Sequence, residues 1–368
     1  MVCQLAELLR LSANTLSFKG VEFLTHKEII LAGIALKKTP RLPAMILSSG
    51  VWTDYRNGLT LQDVMIGQPQ KIAQTIIDDN KKVGSDVVWV AADCSNVIVK
   101  ALGGKCTFNL LGEASTIDEP LVTRPEDVDQ LRLEDLENSR EIANLLETAR
   151  IVVGEIGDEY LVAVSQWGAF TLAGQLLGMD NMMKTALKDK PGLNHIMEFT
   201  ERLLLKYWNL FIDAGVEMVN QAEPLSSGDV ISAKLFREAS FPRIKSANQA
   251  IKRISTRSLH ICGNTTKVLD LIPETGANLF SMDYKVNLNV AREKLSGKLA
   301  FGGQLDPIRV LLEGTPEEIE AESLSCIRDG GAAGFVLIPG CDIAPQTKLE
   351  NVQTMIQTAH QFDVTEIY

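Results

Sequence analysis

The chain has 368 residues, of which 45% are apolar and 23% are charged, an ordinary balance for a globular protein. This length accommodates one α/β barrel or two smaller domains. The formal net charge is -11 and no basic run stands out. Nucleic acid is therefore a poor candidate for the main partner, and the charge favours small molecules and proteins.

Six cysteines are spread unevenly over the chain, at Cys3, Cys94, Cys106, Cys262, Cys326 and Cys341. This pattern is typical of a reducing compartment, where cysteines serve metals or catalysis more often than disulfides. The first residues lack the basic start and apolar core of a secretory signal, and no long apolar run predicts a membrane span. The sequence therefore predicts a cytoplasmic protein.

The first elements are helical. Residues 1–24 place Leu5, Leu8, Leu9 and Leu11 on one side of a short helix, which predicts an N-terminal extension to a domain spanning residues 25–368. That helix either caps the domain or packs between two copies of the chain. A homodimer is therefore one of the two alternatives. Residues 25–28, Thr-His-Lys-Glu, have the form of a capping box, and the next helix is expected to end before Pro40.

Beyond Pro40, short apolar runs alternate with helical patterns. The predicted strands are 43–47, 87–91, 160–165, 216–220, 258–262, 277–282, 299–302 and 334–338. The clearest helical patterns are 71–82, 134–151, 193–212, 234–254 and 316–329. Buried strands that alternate with helices predict a parallel sheet, and eight of them favour a closed (β/α)₈ barrel, the TIM barrel, as a single domain. An open doubly wound sheet is the alternative.

In such a barrel, chemistry lies at the carboxyl ends of the strands. The residues that follow the predicted strands are mostly polar or metal-binding: Ser48-Ser49-Gly50, Asp93, Gln166, Glu223, His260 with Cys262, Asp283, Gln304 with Asp306, and Cys341. Polar residues begin many loops, and this explains any one of them. It does not explain why one His and two Cys occur together.

His260 and Cys262 are two residues apart at the end of one predicted strand, so their side chains share a face. Cys341 follows the last predicted strand. Two thiolates and one imidazole are the ligands of a catalytic zinc ion with an open position. Asp283, after the intervening strand, is a candidate fourth ligand that substrate would displace. A buried Cys usually behaves as a small apolar residue. The zinc hypothesis therefore rests on the fact that all three residues follow strands at the same end of the predicted barrel.

Three further segments carry a family resemblance: 164–174 with Gly168-Ala169-Phe170-Thr171, 301–307 with Leu305-Asp306-Pro307, and 340–352 with Gly340-Cys341-Asp342. Together they resemble the uroporphyrinogen decarboxylase superfamily, whose members are (β/α)₈ barrels. The resemblance covers roughly residues 25–365. Asp93 is similar to the essential aspartate of the decarboxylases. Residues 45–56, however, contain a single arginine, where the decarboxylases have an arginine-bearing segment that holds the substrate's carboxylates.

The pattern of one His and two Cys instead resembles the zinc-dependent, corrinoid-linked methyltransferases of this superfamily. The resemblance implies that His260, Cys262 and Cys341 bind Zn²⁺, with Asp283 in place of a glutamate ligand. It also implies methyl transfer between a corrinoid (methylcobalamin), carried by a partner protein, and a small thiol such as coenzyme M. No D-x-H-x-x-G motif for carrying cobalamin is present, so the corrinoid is expected on another protein.

Three alternatives stay open at this point. The same ion could activate a methoxy or methylamine donor for transfer to the corrinoid. The protein could be a uroporphyrinogen decarboxylase, or a non-catalytic barrel that binds a corrinoid or a partner.

The remaining candidates have weaker signals. Asp93 and Glu223 are predicted catalytic residues, although a structural hydrogen bond explains Glu223 equally well. Gln166 and Gln304 are candidates for polar contacts with substrate. Trp52 and Tyr55 are candidates for lining the mouth where a corrin ring approaches, although packing of aromatic side chains explains them equally.

Overall fold

The structure, a computed structural model, describes residues 24–254, 256–331 and 333–368. The predicted helical extension at residues 1–24 lies outside these ranges except for Leu24, so both it and the domain boundary at residue 25 stay predictions. The capping box is confirmed: Thr25 Oγ1 accepts the Glu28 N–H at 3.1 Å, and Glu28 Oε2 accepts the Thr25 N–H at 2.8 Å. The helix that it starts, α1, spans His26–Ile34.

The described residues form nine strands: β1 (Val87–Val90), β2 (Cys106–Thr107), β3 (Thr116–Ile117), β4 (Leu161–Trp167), β5 (Met218–Ala222), β6 (Thr256–Ile261), β7 (Leu279–Met282), β8 (Ala300–Leu305) and β9 (Phe335–Pro339). Seven of them pair in parallel in the order β1-β4-β5-β6-β7-β8-β9, while β2 and β3 form a separate antiparallel pair. Seven of the eight predicted barrel strands are therefore confirmed, and their bounds shift by up to three residues.

The eighth predicted strand, residues 43–47, is extended but is not a regular strand, which corrects that prediction. It lies between β9 and β1 and pairs with β9 through a single bridge, Ala44 with Leu337. Met45 donates its N–H to Leu337 O at 3.1 Å. On the other edge, the Asp86 N–H donates to Ala44 O at 3.0 Å. The segment thus bonds to both neighbours and closes the barrel.

Side chains replace much of the hydrogen bonding between this segment and β1. Trp89 Nε1 donates to Ile46 O at 2.8 Å, and Ser85 Oγ accepts the Ile46 N–H at 3.3 Å. Because a side-chain oxygen, and not a backbone carbonyl, accepts the Ile46 N–H, the regular pattern of backbone hydrogen bonds between the segment and β1 is interrupted. This explains why an apolar run that reads as a strand forms only one bridge.

Helices surround the sheet, as expected for the (β/α)₈ barrel. After α1 they are α2 (Gly50–Arg56), α3 (Leu61–Ile66), α4 (Pro69–Val83), α5 (Val97–Ala101), α6 (Asp135–Asn138), α7 (Arg140–Ile156), α8 (Ala169–Leu177), α9 (Met179–Lys188), α10 (Lys190–Asp213), α11 (Ala233–Leu235), α12 (Phe241–Ala250), α13 (Leu288–Leu295), α14 (Pro316–Gly330) and α15 (Leu349–Gln361). The helix predicted at 134–151 is divided at Ser139, whose extended backbone and Oγ cap α7. The pattern at 234–254 forms three pieces, with a π-helical turn at Phe236–Ser240 between α11 and α12.

Asp86 anchors the amino-terminal end of the barrel. Its buried carboxylate accepts from Arg41 Nη1 at 3.0 Å, from the Ala44 N–H at 2.9 Å and from His26 Nδ1 at 2.7 Å. Burial opposes ionisation, but hydrogen bonds from His26 and Arg41, with His360 Nε2 3.5 Å from Asp86 Oδ2, hold the pKa of Asp86 well below its usual value. One carboxylate therefore ties α1, the closing segment, β1 and α15 together, at the end opposite the strand carboxyl termini.

Candidate metal centre

His260 and Cys262 lie where β6 ends. His260 is the second-last residue of the strand, and Cys262 begins the turn that follows. Gly263 completes this turn with a φ of +76°, a conformation that favours glycine. A Cβ at Gly263 would also lie 2.2 Å from Ser227 Oγ, so the loop after β5 packs directly against the turn.

Cys341, at the end of β9, meets these two residues in the barrel mouth. His260 Nε2 lies 3.0 Å from Cys262 Sγ, and Cys262 Sγ lies 3.3 Å from Cys341 Sγ. The three ligand atoms all lie within 4.8 Å of one another. His260 is 4% exposed and both cysteines are half-buried. The structure thus brings together the three side chains that the sequence singled out.

The His260 ring is oriented by the neighbouring strand. Its Nδ1 lies 3.1 Å from Ser281 O and 3.0 Å from Ser281 Oγ, on β7. A neutral imidazole that donates Nδ1–H to this carbonyl leaves the Nε2 lone pair facing the two sulfurs. An outer hydrogen bond of this kind is what fixes a metal-binding histidine in the required tautomer.

The pKa values of the Cys262 and Cys341 thiols depend on each other. The hydrogen bond from Cys262, with help from His260, lowers the pKa of Cys341 to about 4 although burial opposes it. The same hydrogen bond, together with burial, raises the pKa of Cys262. The pair therefore carries one proton and one negative charge at neutral pH in the absence of a metal.

This donor set fits a zinc ion. Zinc binds sulfur at about 2.3 Å and imidazole nitrogen at about 2.0–2.1 Å, so tetrahedral ligands lie roughly 3.5–3.8 Å apart. The observed 3.0 and 3.3 Å separations are close enough that small side-chain rotations reach this geometry. Three protein ligands are the number that catalytic zinc sites use, and they would leave a fourth position for substrate.

Asp283 does not belong to this group of ligand atoms. Its two carboxylate oxygens accept the N–H groups of Gly263 at 2.7 Å and of Lys285 at 2.9 Å. Asp283 therefore holds the turn that carries Cys262. Its role as a ligand stays a prediction.

Asp93 lies near Cys341. It has a φ of +56°, and its carboxylate accepts the Val51 N–H at 2.8 Å and Ser48 Oγ–H at 3.2 Å. Burial raises the pKa of Asp93, and the charge on Cys341 adds to the shift. Ser48 and Ser49 also have positive φ values, of 47° and 57°. Such backbone strain in non-glycine residues is concentrated at functional sites, so Asp93 stays a candidate for catalysis.

Asp342 is a neighbouring acid that the sequence reasoning missed. Its Oδ1 lies 3.4 Å from the Ser49 N–H. The residue as a whole is exposed, while this hydrogen bond is partly buried. Desolvation, followed by the charges of Asp93 and Cys341, raises its pKa well above the usual value. The sequence did contain one signal for Asp342 as a site residue, because it directly follows the predicted metal ligand Cys341.

Glu223 has a structural explanation. It is fully buried, and its carboxylate accepts the N–H groups of Phe170 at 3.1 Å and Thr171 at 3.0 Å, with Thr171 Oγ1 at 2.7 Å. These are the free N–H groups of the first turn of α8, where a carboxylate is favoured. Burial raises its pKa against these hydrogen bonds. Catalysis by Glu223 stays a prediction, but the cap accounts for its contacts.

The four predicted substrate contacts lie in different surroundings. Gln166 is fully buried and donates to Ser95 O at 3.1 Å, and Trp52 is fully buried and donates to Thr347 O at 2.8 Å. Both are therefore part of the packed interior. Gln304 is half-buried and donates to Tyr284 O at 3.1 Å, while Tyr55 is 36% exposed. None of these assignments to substrate is tested by the structure.

Comparison with known proteins identifies the family. Residues 25–362 match the uroporphyrinogen decarboxylase (URO-D) family. The chain belongs to this family. The URO-D resemblance predicted from three short motifs is thereby confirmed over nearly the whole chain.

The similar proteins include methyltransferases and, at 24–25% identity, uroporphyrinogen decarboxylases. The chain is 29% identical to the methylcobamide:CoM methyltransferase MtbA of Methanosarcina mazei, over 92% of this chain and 98% of that protein. It is 26% identical to the methylcobamide:CoM methyltransferase MtaA of Methanosarcina barkeri, over 80% and 85% of the two chains. The predicted resemblance to the corrinoid-linked branch is thus confirmed.

A solved structure confirms the fold of this URO-D family member. A methyltransferase from Methanosarcina mazei superposes with a TM-score of 0.83 at 23% identity, covering 92% of this chain and 98% of that one. The predicted (β/α)₈ barrel is therefore correct. Among the helices in the described ranges, none combines the length and apolar character needed to cross a membrane.

Proposed function

We propose that this protein is a methyltransferase that moves a methyl group between a corrinoid on a partner protein and a small thiol such as coenzyme M. The observation that carries the proposal is the convergence of His260 Nε2, Cys262 Sγ and Cys341 Sγ within 4.8 Å at the barrel mouth. The full-length similarity to methylcobamide:CoM methyltransferases supports the same reaction.

The three side chains are proposed to hold a zinc ion, whose contribution when bound is to turn a coordinated thiol into a nucleophilic thiolate at neutral pH. His260 is held by Ser281 so that Nε2 faces the ion position. Two cysteinates would balance the charge of a bound zinc ion, so a coordinated thiolate would stay electron-rich. In the proposed transfer the thiol sulfur forms a bond to the methyl carbon, the bond between that carbon and the corrinoid breaks with its electron pair left on the corrinoid, and the thiol gives up one proton.

Asp93 is proposed to help remove that proton. Its carboxylate is close enough to Cys341 for their charges to interact, and the raised pKa makes it a better proton acceptor than an exposed aspartate. The N–H of Val51 and the hydroxyl of Ser48 hold its two oxygens in place. Asp283 keeps the Cys262 turn in position through Gly263 N–H.

Decarboxylation of uroporphyrinogen is the less favoured function. Its substrate needs arginines for many carboxylates, and the arginine of the 45–56 segment is already engaged. Arg56 Nη1 lies 3.0 Å from Asp79 Oδ2, and its guanidinium stacks on the Trp52 ring at 4.4 Å. Arg56 is therefore committed to internal packing.

We also propose that the protein works in the cytoplasm, because the reaction requires reduced thiols. All five cysteines in the described ranges are free.

The function is tested by loading the protein with zinc and adding methylcobalamin with either coenzyme M or 2-mercaptoethanol. The expected result is about one zinc per chain, methylation of the thiol, and loss of both on chelation. A zinc-loaded protein that methylates neither thiol, from free or from protein-bound methylcobalamin, would refute the proposal.

A further inference from the structure

A large groove lies on the outer wall of the barrel, at the end that carries the metal centre. It has a volume of about 760 Å³ and is enclosed by α9, the start of α10 and residues 230–243. These segments follow the carboxyl ends of β4 and β5, which places the groove beside the barrel mouth. Its lining includes Met183, Leu193, Met197 and Ile231. The groove is therefore largely apolar.

Two apolar side chains at this groove point into solvent. Leu187 is 77% exposed and Val230 is 43% exposed. Leu187 is the second-last residue of α9 and lines the groove together with Val230. Exposed apolar side chains at the edge of an apolar groove are typical of protein–protein interaction sites.

The groove is connected to the metal centre through the loop after β5. Ser227 packs against Gly263, the neighbour of Cys262, and the Gly228 N–H donates to Asn264 O at 3.1 Å. The same loop continues into the groove, since the Val230 N–H donates to Ser227 O at 3.0 Å. A second cavity of about 190 Å³ is lined by residues from both sides, including Asn264 and Ile231. A partner in the groove would thus sit against the loop that touches the Cys262 turn.

The charge around the groove differs from that of the whole protein. Residues 179–190 and 230–243 contain six basic and three acidic residues, whereas the chain has a net charge of -11. Lys190 and Lys234 line the groove together with Glu238, whose carboxylate lies 3.0 Å from Lys190 Nζ and 3.9 Å from Lys234 Nζ. These three side chains keep one net positive charge, and the side chain of Lys234 is 81% exposed. A locally basic rim on an acidic protein favours a partner whose contact surface is acidic.

We propose that this groove docks the corrinoid-carrying protein, which presents an acidic surface with an apolar side chain that fits beside Leu187 and Val230. The inference rests on the proposed function, because a corrin ring has to be delivered to the barrel mouth from outside. A partner seated in the groove is held next to the loop at 226–231, and its cofactor can reach over Cys262. Docking and methyl transfer then use neighbouring but separate surfaces.

The test compares two methyl donors with three variants. The donors are free methylcobalamin and methylcobalamin loaded on a recombinant corrinoid-binding protein, with 2-mercaptoethanol as acceptor. Leu187→Asp removes the apolar anchor, and Lys234→Glu reverses a rim charge. Ile308→Asp is the matched control, because Ile308 is 48% exposed and follows β8 at the same end of the barrel but on the opposite side.

With the carrier-bound donor, Leu187→Asp and Lys234→Glu are expected to raise KM by about tenfold or more, the size of an interface hot spot. Their kinetics with free methylcobalamin are expected to match those of the wild type, and Ile308→Asp is expected to match it with both donors. The wild-type rate with the carrier is also expected to fall with salt, and Lys234→Glu is expected to weaken this dependence.

Three outcomes overturn the docking proposal without affecting the proposed function. The first is that the wild type has equal kinetics with both donors, and the second is that all variants have the same KM for the carrier-bound donor. The third is that Leu187→Asp changes the oligomeric state and leaves this KM unchanged. The last outcome would assign the groove to a second copy of this chain. Absence of turnover in the wild type with both donors would instead refute the proposed function.

Discussion

Replacing Cys341 by serine removes one of the three converging ligands and leaves His260 and Cys262. Serine keeps the size of the side chain but does not form the anion that Cys341 forms with a pKa of about 4. Zinc binding to four-ligand sites is worth about 10–16 kcal/mol, or roughly 2.5–4 kcal/mol for each ligand. We therefore expect zinc affinity to fall by about 10²–10³-fold, since each 1.4 kcal/mol is a factor of ten.

The assay is competition for zinc against a chromophoric chelator at fixed pH, together with metal content after gel filtration and the rate of thiol methylation. Cys106→Ser is the matched control, because Cys106 is a half-buried thiol on β2 whose nearest polar contact, at 3.9 Å, is Asn96 O. The control is expected to keep its zinc and its activity. Cys341→Ser with wild-type zinc affinity would refute the assignment of the ion to this trio, even if activity were lost.

Three further predictions concern the pair of thiols, Glu223 and Asp86. Zinc affinity is expected to rise about tenfold per pH unit between pH 7 and 8, because the raised pKa of Cys262 leaves one thiol proton for the metal to displace, whereas two ordinary thiols would give a slope of two. Glu223→Gln is expected to lower the free energy of unfolding by about 1–3 kcal/mol, because its amide cannot accept all the N–H groups of α8, with kcat unchanged in folded protein; a lost kcat at unchanged stability would make Glu223 catalytic. Asp86→Asn is expected to cost about 3–5 kcal/mol in chemical unfolding at pH 7. Because the folded-state pKa of Asp86 is depressed, that difference is present above pH 4 and shrinks as pH falls below it; a difference independent of pH would contradict the ionic explanation.

Two features could not be predicted from the sequence: the pairing of the closing segment, residues 43–47, and the contacts of Glu223. An apolar run at 43–47 carries the same local signal as the other strands, but its pairing depends on Ser85 and Trp89, which are about 40 residues away. Glu223 follows a strand, as a catalytic residue would, yet its carboxylate meets the N-terminus of α8. In both cases the deciding partner lies on another element, and periodicity carries no information about it.

The sequence by itself determined the alternation of strands and helices, the capping box at Thr25, and the three soft ligands at strand ends. These features are local, because burial on one or both faces sets the spacing of apolar residues and a cap needs only four consecutive residues. Tertiary structure alone decided that Cys341 lies 3.3 Å from Cys262 across 79 residues, and that Asp283 holds a turn. It also created the groove beside Leu187. Those outcomes depend on strand register and on how loops pack at one end of the barrel, and such long-range contacts are set only when the whole chain folds.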